Sequence, residues 1–163
     1  MKKRGQKVHP FRNQDRIDAI HNAIQKGDRA QLESIVQDRT YNSQMSRKLK
    51  GKSVAWEEVV EDMVYRIDDC ATSEKCAIKL FDDLPFHEIC GNVLATKLMD
   101  SVGPFFVRCY DIGRFTDTAA SYFILLEYVP EDTECIDLNE PIHMYNLFYQ
   151  VTVLVLYPHP LSQ

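Results

Sequence analysis

At 163 residues the chain fits one domain, or one small domain with an arm, and a hydrophobic content of 45% is enough to close a core. A net charge of −5, from 24 acidic against 19 basic residues, argues against bulk attraction to nucleic acid or to anionic lipid, so no nucleic-acid partner is expected. Five cysteines, Cys70, Cys76, Cys90, Cys109 and Cys135, form no CxxC pair and are odd in number, which argues against zinc and for reduced, mostly buried thiols in an intracellular protein.

Residues 1–15 form a basic arm with Lys2, Lys3, Arg4, Lys7 and Arg12, and the cluster extends to Arg16. Charge runs are usually solvated, and the arm is expected to be so. Residues 16–37 carry Ile17, Ile20, Ile24, Leu32, Ile35 and Val36 at helical spacing broken at Gly27-Asp28, which predicts a helical extension of two short helices. Residues 38–53 are polar, with Asn42, Ser43, Ser46, Gly51 and Ser53, and include a second basic cluster of Arg47, Lys48, Lys50 and Lys52. They read as a linker and a solvated loop.

From Val54 to Ile67 the pattern permits either a helix or two strands. Cys76 to Phe81 is a short apolar strand with Lys79 as its one charge, and an amphipathic helix follows from Pro85, with Ile89, Val93, Leu94, Leu98 and Met99 on one side. Gly103-Pro104 ends it, and Phe105–Ile112 and Tyr122–Val129 read as a hairpin. The acidic stretch 130–141 is loop-like. Met144–Tyr157 reads as a helix whose 14 residues are too few for a membrane span, which takes about 20.

A lysine inside an apolar strand needs a carboxylate partner, and the next helix supplies Glu88. A strand reading Ala77-Ile78-Lys79, a helix carrying Glu88, and two strands ending in Leu125-Leu126-Glu127-Tyr128-Val129 resemble the small lobe of a protein kinase. The segment Phe86 to Leu98, Gly103-Pro-Phe-Phe-Val107 and Cys135-Ile-Asp-Leu138 is similar to haspin-like serine/threonine kinases and the related kinases of large DNA viruses. Gln150, seven further residues, then Pro158-His159 resemble the end of the first large-lobe helix.

The resemblance implies an α+β fold: a small-lobe-like antiparallel sheet with one central helix over residues 54–130, and a hinge and first large-lobe helix over 131–163. It implies ATP as cofactor, with Lys79 on the α and β phosphates and paired with Glu88, Leu126 as gatekeeper, and the backbone of Glu127 and Val129 as adenine-binding hinge. Glu131 or Asp132 would reach the ribose. Residue by residue, Lys79 also reads as a strand-edge lysine snorkelling to water, and Glu88 as a solvated carboxylate in a first helical turn.

The departures weigh against catalysis. No glycine lies between Gly51 and Gly91, where a phosphate-cradling loop belongs. No His-x-Asp loop, metal-binding Asn or Asp-Phe-Gly follows His159, so no catalytic residue is assigned and no metal site is complete. His87, His143 and His159 have no metal-ligand spacing.

Three functions follow: a truncated, pseudokinase-like fragment binding nucleotide or protein; part of an active kinase whose large lobe is absent from these residues; or a scaffold. Partners expected for the first two are another kinase or a missing large lobe, met through Met144–Tyr157.

Overall fold

The computed structural model describes residues 8–58, 63–103, 106–116 and 121–130. Its order is α1 (Gln14–Gln25), α2 (Arg29–Val36), α3 (Arg39–Leu49), β1 (Val54–Glu58), β2 (Val64–Asp69), β3 (Lys75–Phe81), α4 (Phe86–Val102), β4 (Cys109–Arg114) and β5 (Tyr122–Glu127). The expected Met144–Tyr157 helix, Glu131, Asp132, Cys135 and the other readings on residues 131–163 lie outside the described residues.

Each N-terminal helix starts on a side-chain cap. Asn13, Asp28 and Asp38 accept from the backbone N–H groups of Arg16, Gln31 and Tyr41, satisfying donors that the first turn leaves open. Gly27, at φ +65°, makes the left-handed turn that stops α1 and brings Asp28 into capping position for α2.

The five strands form one antiparallel sheet in the order β1-β2-β3-β5-β4. This settles the 54–67 ambiguity in favour of two strands: Trp56 pairs with Ile67, and Ile67 with Cys76, so a helix there would leave one edge of β3 unpaired. The hairpin strands are shorter than expected, β4 beginning at Cys109 rather than Phe105 and β5 ending at Glu127 rather than Val129.

Alternation along the strands gives the sheet two apolar faces. One carries Ile67, Cys76, Ile78, Phe123 and Leu125 against Phe11, Met45 and Leu49. The other carries Ile112, Tyr122 and Ile124 against Ile17, Ile20, Leu32, Val36, Ile89 and Val93. The sheet is thus sandwiched between α3 on one side and α1, α2 and α4 on the other.

Two expectations are corrected. Residues 38–53 are no linker, because 39–49 form α3, which buries Met45 and Leu49. Asn42 and Ser46, which read as loop formers, are buried on that helix with their polar atoms satisfied: Asn42 donates to the Val36 carbonyl and accepts from the Arg114 N–H, and Ser46 accepts from the Thr116 N–H. The described part of the basic arm is no solvated tail either. Phe11 is buried, His9 stacks on Tyr110 at 4.4 Å, and Arg16 is buried against Asp111.

That N-terminal segment has a specific task at the sheet edge. β4 is an outer strand, and the backbone groups it turns away from β5 would stand unpaired. The Asn13 N–H donates to the Tyr110 carbonyl at 2.9 Å, the Arg16 guanidinium donates to the Ile112 carbonyl, and Asn42 takes the Arg114 N–H. Side chains and one backbone amide stand in for a sixth strand.

Candidate functional site

Lys79 lies on β3, opposite Ile124 of β5, and shares a sheet face with Ala77, whose partner is Leu126. α4 crosses that face, and Glu88 sits in its first turn, where the helix dipole favours a carboxylate. Lys79 Nζ donates to Glu88 Oε1 at 3.2 Å, forming the expected ion pair.

The pair is more open than an apolar strand implies. The side chains are 36% and 46% exposed, so the ammonium lies at the rim of the face rather than inside it, 5.4 Å from the Phe81 ring centroid. An exposed pair of this kind adds about 0–1 kcal/mol to stability. Its geometry is therefore available for an anion without being needed by the fold.

Glu88 is held in place by the anchoring of α4. Ile89 and Val93 are fully buried against Ile17, Ile20 and Ile124. Thr96, also buried, donates from Oγ1 to the Asn92 carbonyl and accepts the Cys109 N–H at 2.7 Å, tying the helix to β4. Lys97 reaches Asp18 of α1 at 2.7 Å, and this ion pair holds the Asp18 carboxyl below its usual range. Asp100 meets Arg108 at 3.2 Å. Ile89 and Val93 were legible as the apolar side of the helix, whereas the Lys97–Asp18 contact did not figure in the sequence reading because it joins residues 79 apart in the chain.

Leu126 is half-buried beside Ala77, on the face that carries Lys79. The Glu127 N–H donates to the Arg108 carbonyl at 2.8 Å, and its carboxylate accepts the Arg108 N–H. Val129 is 45% exposed, and among the described residues it makes no backbone hydrogen bond. Lys79, Glu88 and Leu126 are thus brought to one face, with Glu127 and Val129 following at the end of β5.

The buried charge that most needed a partner was a different one. Asp111, in β4, is fully buried, and burial pushes its carboxyl up to about 6 against the opposing pull of the Tyr41 hydroxyl and Arg16. A lone carboxylate in an apolar strand is the same signal that singled out Lys79, and it was present in the sequence.

Among the described residues no group of three or more His, Cys, Asp or Glu side chains could hold a metal ion. Among them, too, no helix is long and apolar enough to cross a membrane. Comparison with protein-family models, with curated proteins and with solved structures found no match.

Proposed function

We propose that this chain is a protein-kinase small-lobe-like domain that binds a nucleoside triphosphate through Lys79 and does not, with these 163 residues alone, transfer its phosphoryl group. The observation that carries the reading is the 3.2 Å contact between Lys79 of β3 and Glu88 of α4, on a five-stranded antiparallel sheet in which β5 lies between β3 and β4.

A lysine held by a carboxylate is pre-oriented yet retains donors for phosphate oxygens. Leu126 and Ala77 offer an apolar surface on the same face for a base, and the backbone of Val129, an exposed residue, would offer a polar edge to it. Affinity is expected to be weak. The connection from β1 to β2 includes Val59, Val60, Glu61 and Asp62, so it supplies no glycine for close backbone approach and adds two carboxylates.

The absence of His-x-Asp and Asp-Phe-Gly sequences removes the groups that would orient a hydroxyl and hold magnesium. Thermal melting with and without saturating ATP and magnesium tests the binding. At 100 times the dissociation constant the ligand adds about 2.7 kcal/mol, or roughly 5–10 °C for a chain of this size. Lys79→Ala should abolish the shift while leaving the ligand-free melting temperature nearly unchanged. Equal melting of the wild type with and without ATP would overturn the proposal.

A further inference from the structure

The helix found in place of the expected linker changes what its basic residues can do. Arg39, Ser43, Arg47 and Lys50 follow one another along α3 and its C-cap at intervals of four, four and three, so they share one stripe of the helix. Arg114, at the end of β4, and Thr116 form the opposite wall. Between them lie two adjoining cavities, of about 350 Å³ lined by Arg39, Asn42 and Arg114 among others, and of about 580 Å³ lined by Ser43, Arg47 and Lys50, with Thr116 common to both. No carboxylate lines either cavity among the described residues.

Of the five described arginines elsewhere, four are neutralised by carboxylates and Arg12 bonds the Gln14 side-chain amide instead. Arg16, Arg29, Arg66 and Arg108 each meet a carboxylate. Among the described residues Arg39, Arg47 and Arg114 meet none: Arg47 donates only to the Ser43 carbonyl, and Arg114 lies over the Tyr122 ring. In a chain of net charge −5, three arginines without carboxylate partners among the described residues converge on one groove, beside the hydroxyls of Ser43 and Thr116.

We propose that the groove between α3 and the end of β4 binds a short acidic segment of a partner polypeptide, in extended form, with carboxylates or phosphoserines meeting Arg39, Arg114 and Arg47. From Arg39 to Lys50 the helix covers about 16 Å, the reach of roughly five extended residues. Guanidinium groups pair with carboxylate and phosphate in two-pronged geometry, and hydroxyls supply further donors.

A nucleic-acid occupant is disfavoured because binding single strands relies on exposed aromatic platforms. The aromatic rings at this groove, Phe115 and Tyr122, are buried. A lipid surface is disfavoured because the cations line a concavity. The inference stands apart from the nucleotide proposal, since neither Lys79 nor Glu88 lines the groove.

Fluorescence anisotropy on the full chain tests it, with a labelled peptide of five Asp, Glu and phosphoserine residues. Binding should weaken at least tenfold in Arg39→Glu/Arg47→Glu, two exposed positions whose change leaves the melting temperature nearly intact. It should be unchanged in Lys26→Glu/Lys75→Glu, a charge-matched pair of changes at exposed positions elsewhere. Competition by a single-stranded oligonucleotide of equal charge, and by anionic vesicles, completes the experiment. Failure of the peptide to bind, equal weakening by Lys26→Glu/Lys75→Glu, or tighter binding of oligonucleotide or vesicles would overturn the proposal.

Discussion

Arg16, in the first turn of α1, lies 3.2 Å from Asp111 of β4, and both are almost wholly removed from solvent. The guanidinium also donates twice to the Ile112 carbonyl, at 2.9 and 3.1 Å, and stacks 3.9 Å from the Tyr41 ring centroid. Tyr41 in turn donates to Asp111 and accepts from Asn13. Four segments, the N-terminal turn, α1, α3 and β4, thus meet at one charge pair.

Removing one member of such a pair strands the other in the interior. Arg16→Ala is expected to lose about 3–5 kcal/mol in urea unfolding, because it leaves Asp111 uncompensated and a β4 carbonyl open. Arg16→Lys should recover only part of this, having no planar fork to serve the carboxylate and the carbonyl together. A loss under about 1 kcal/mol for Arg16→Ala would contradict the buried pairing.

The same site predicts a pH dependence. The Asp111 carboxyl titrates at about 6 when folded, against an ordinary value of 3.8, so between these values the folded state holds a proton that the unfolded state has released. Stability from this group therefore falls as pH rises through that window, by on the order of 3 kcal/mol. The stability of the wild type relative to Asp111→Asn should accordingly shrink from pH 4 to pH 7. Unfolding free energies measured across that range check the sign, and a difference that grows with pH would refute it.

Two glycines respond oppositely to alanine. At Gly113 of β4 a methyl group would sit 2.6 Å from the Phe123 ring and 2.7 Å from Asn42 Oδ1, where α3 closes on the sheet, and both neighbours are buried. Gly113→Ala should cost about 1–3 kcal/mol. At Gly91, exposed on α4, nothing lies within 4 Å, and Gly91→Ala should stabilise by about 0.5–1 kcal/mol through helix propensity. Melting curves of the two variants should move in opposite directions.

Thiol reactivity separates the cysteines. Burial pushes the Cys76 and Cys109 thiols far up, and the half-buried Cys90 up to a lesser degree, whereas Cys70 is exposed. A disulfide reagent under native conditions should label Cys70 rapidly and Cys76 and Cys109 only on unfolding. Mass mapping of early adducts on Cys109 would speak against the core described above.

Apolar periodicity made much of the architecture legible: α1, α2 and β3 follow the hydrophobic spacing, as does α4 through Ile89, Val93 and Met99 though not Leu94, which is exposed, and the Gly27-Asp28 break falls where two helices separate. α3 was illegible because its buried face includes Asn42 and Ser46, whose burial is made affordable by backbone partners from β4 and beyond. Arg16 was misassigned for the same reason, since its counter-charge lies 95 residues away in the sequence. Lys79 and Glu88 were legible as a pair, but not as a half-exposed one, because a strand's composition does not say which end of a face its charge occupies.

The strand order carries a consequence for biosynthesis. β3 has β2 on one side, but its other neighbour, β5, arrives only after α4 and β4 have been made. A ribosome that has delivered the first hundred residues therefore holds a nascent chain with an open strand edge and Ile78 beside it, an invitation to adhere to other chains. Completion of Tyr122–Glu127 closes that interval, and translation speed through the intervening stretch sets how long the risk lasts.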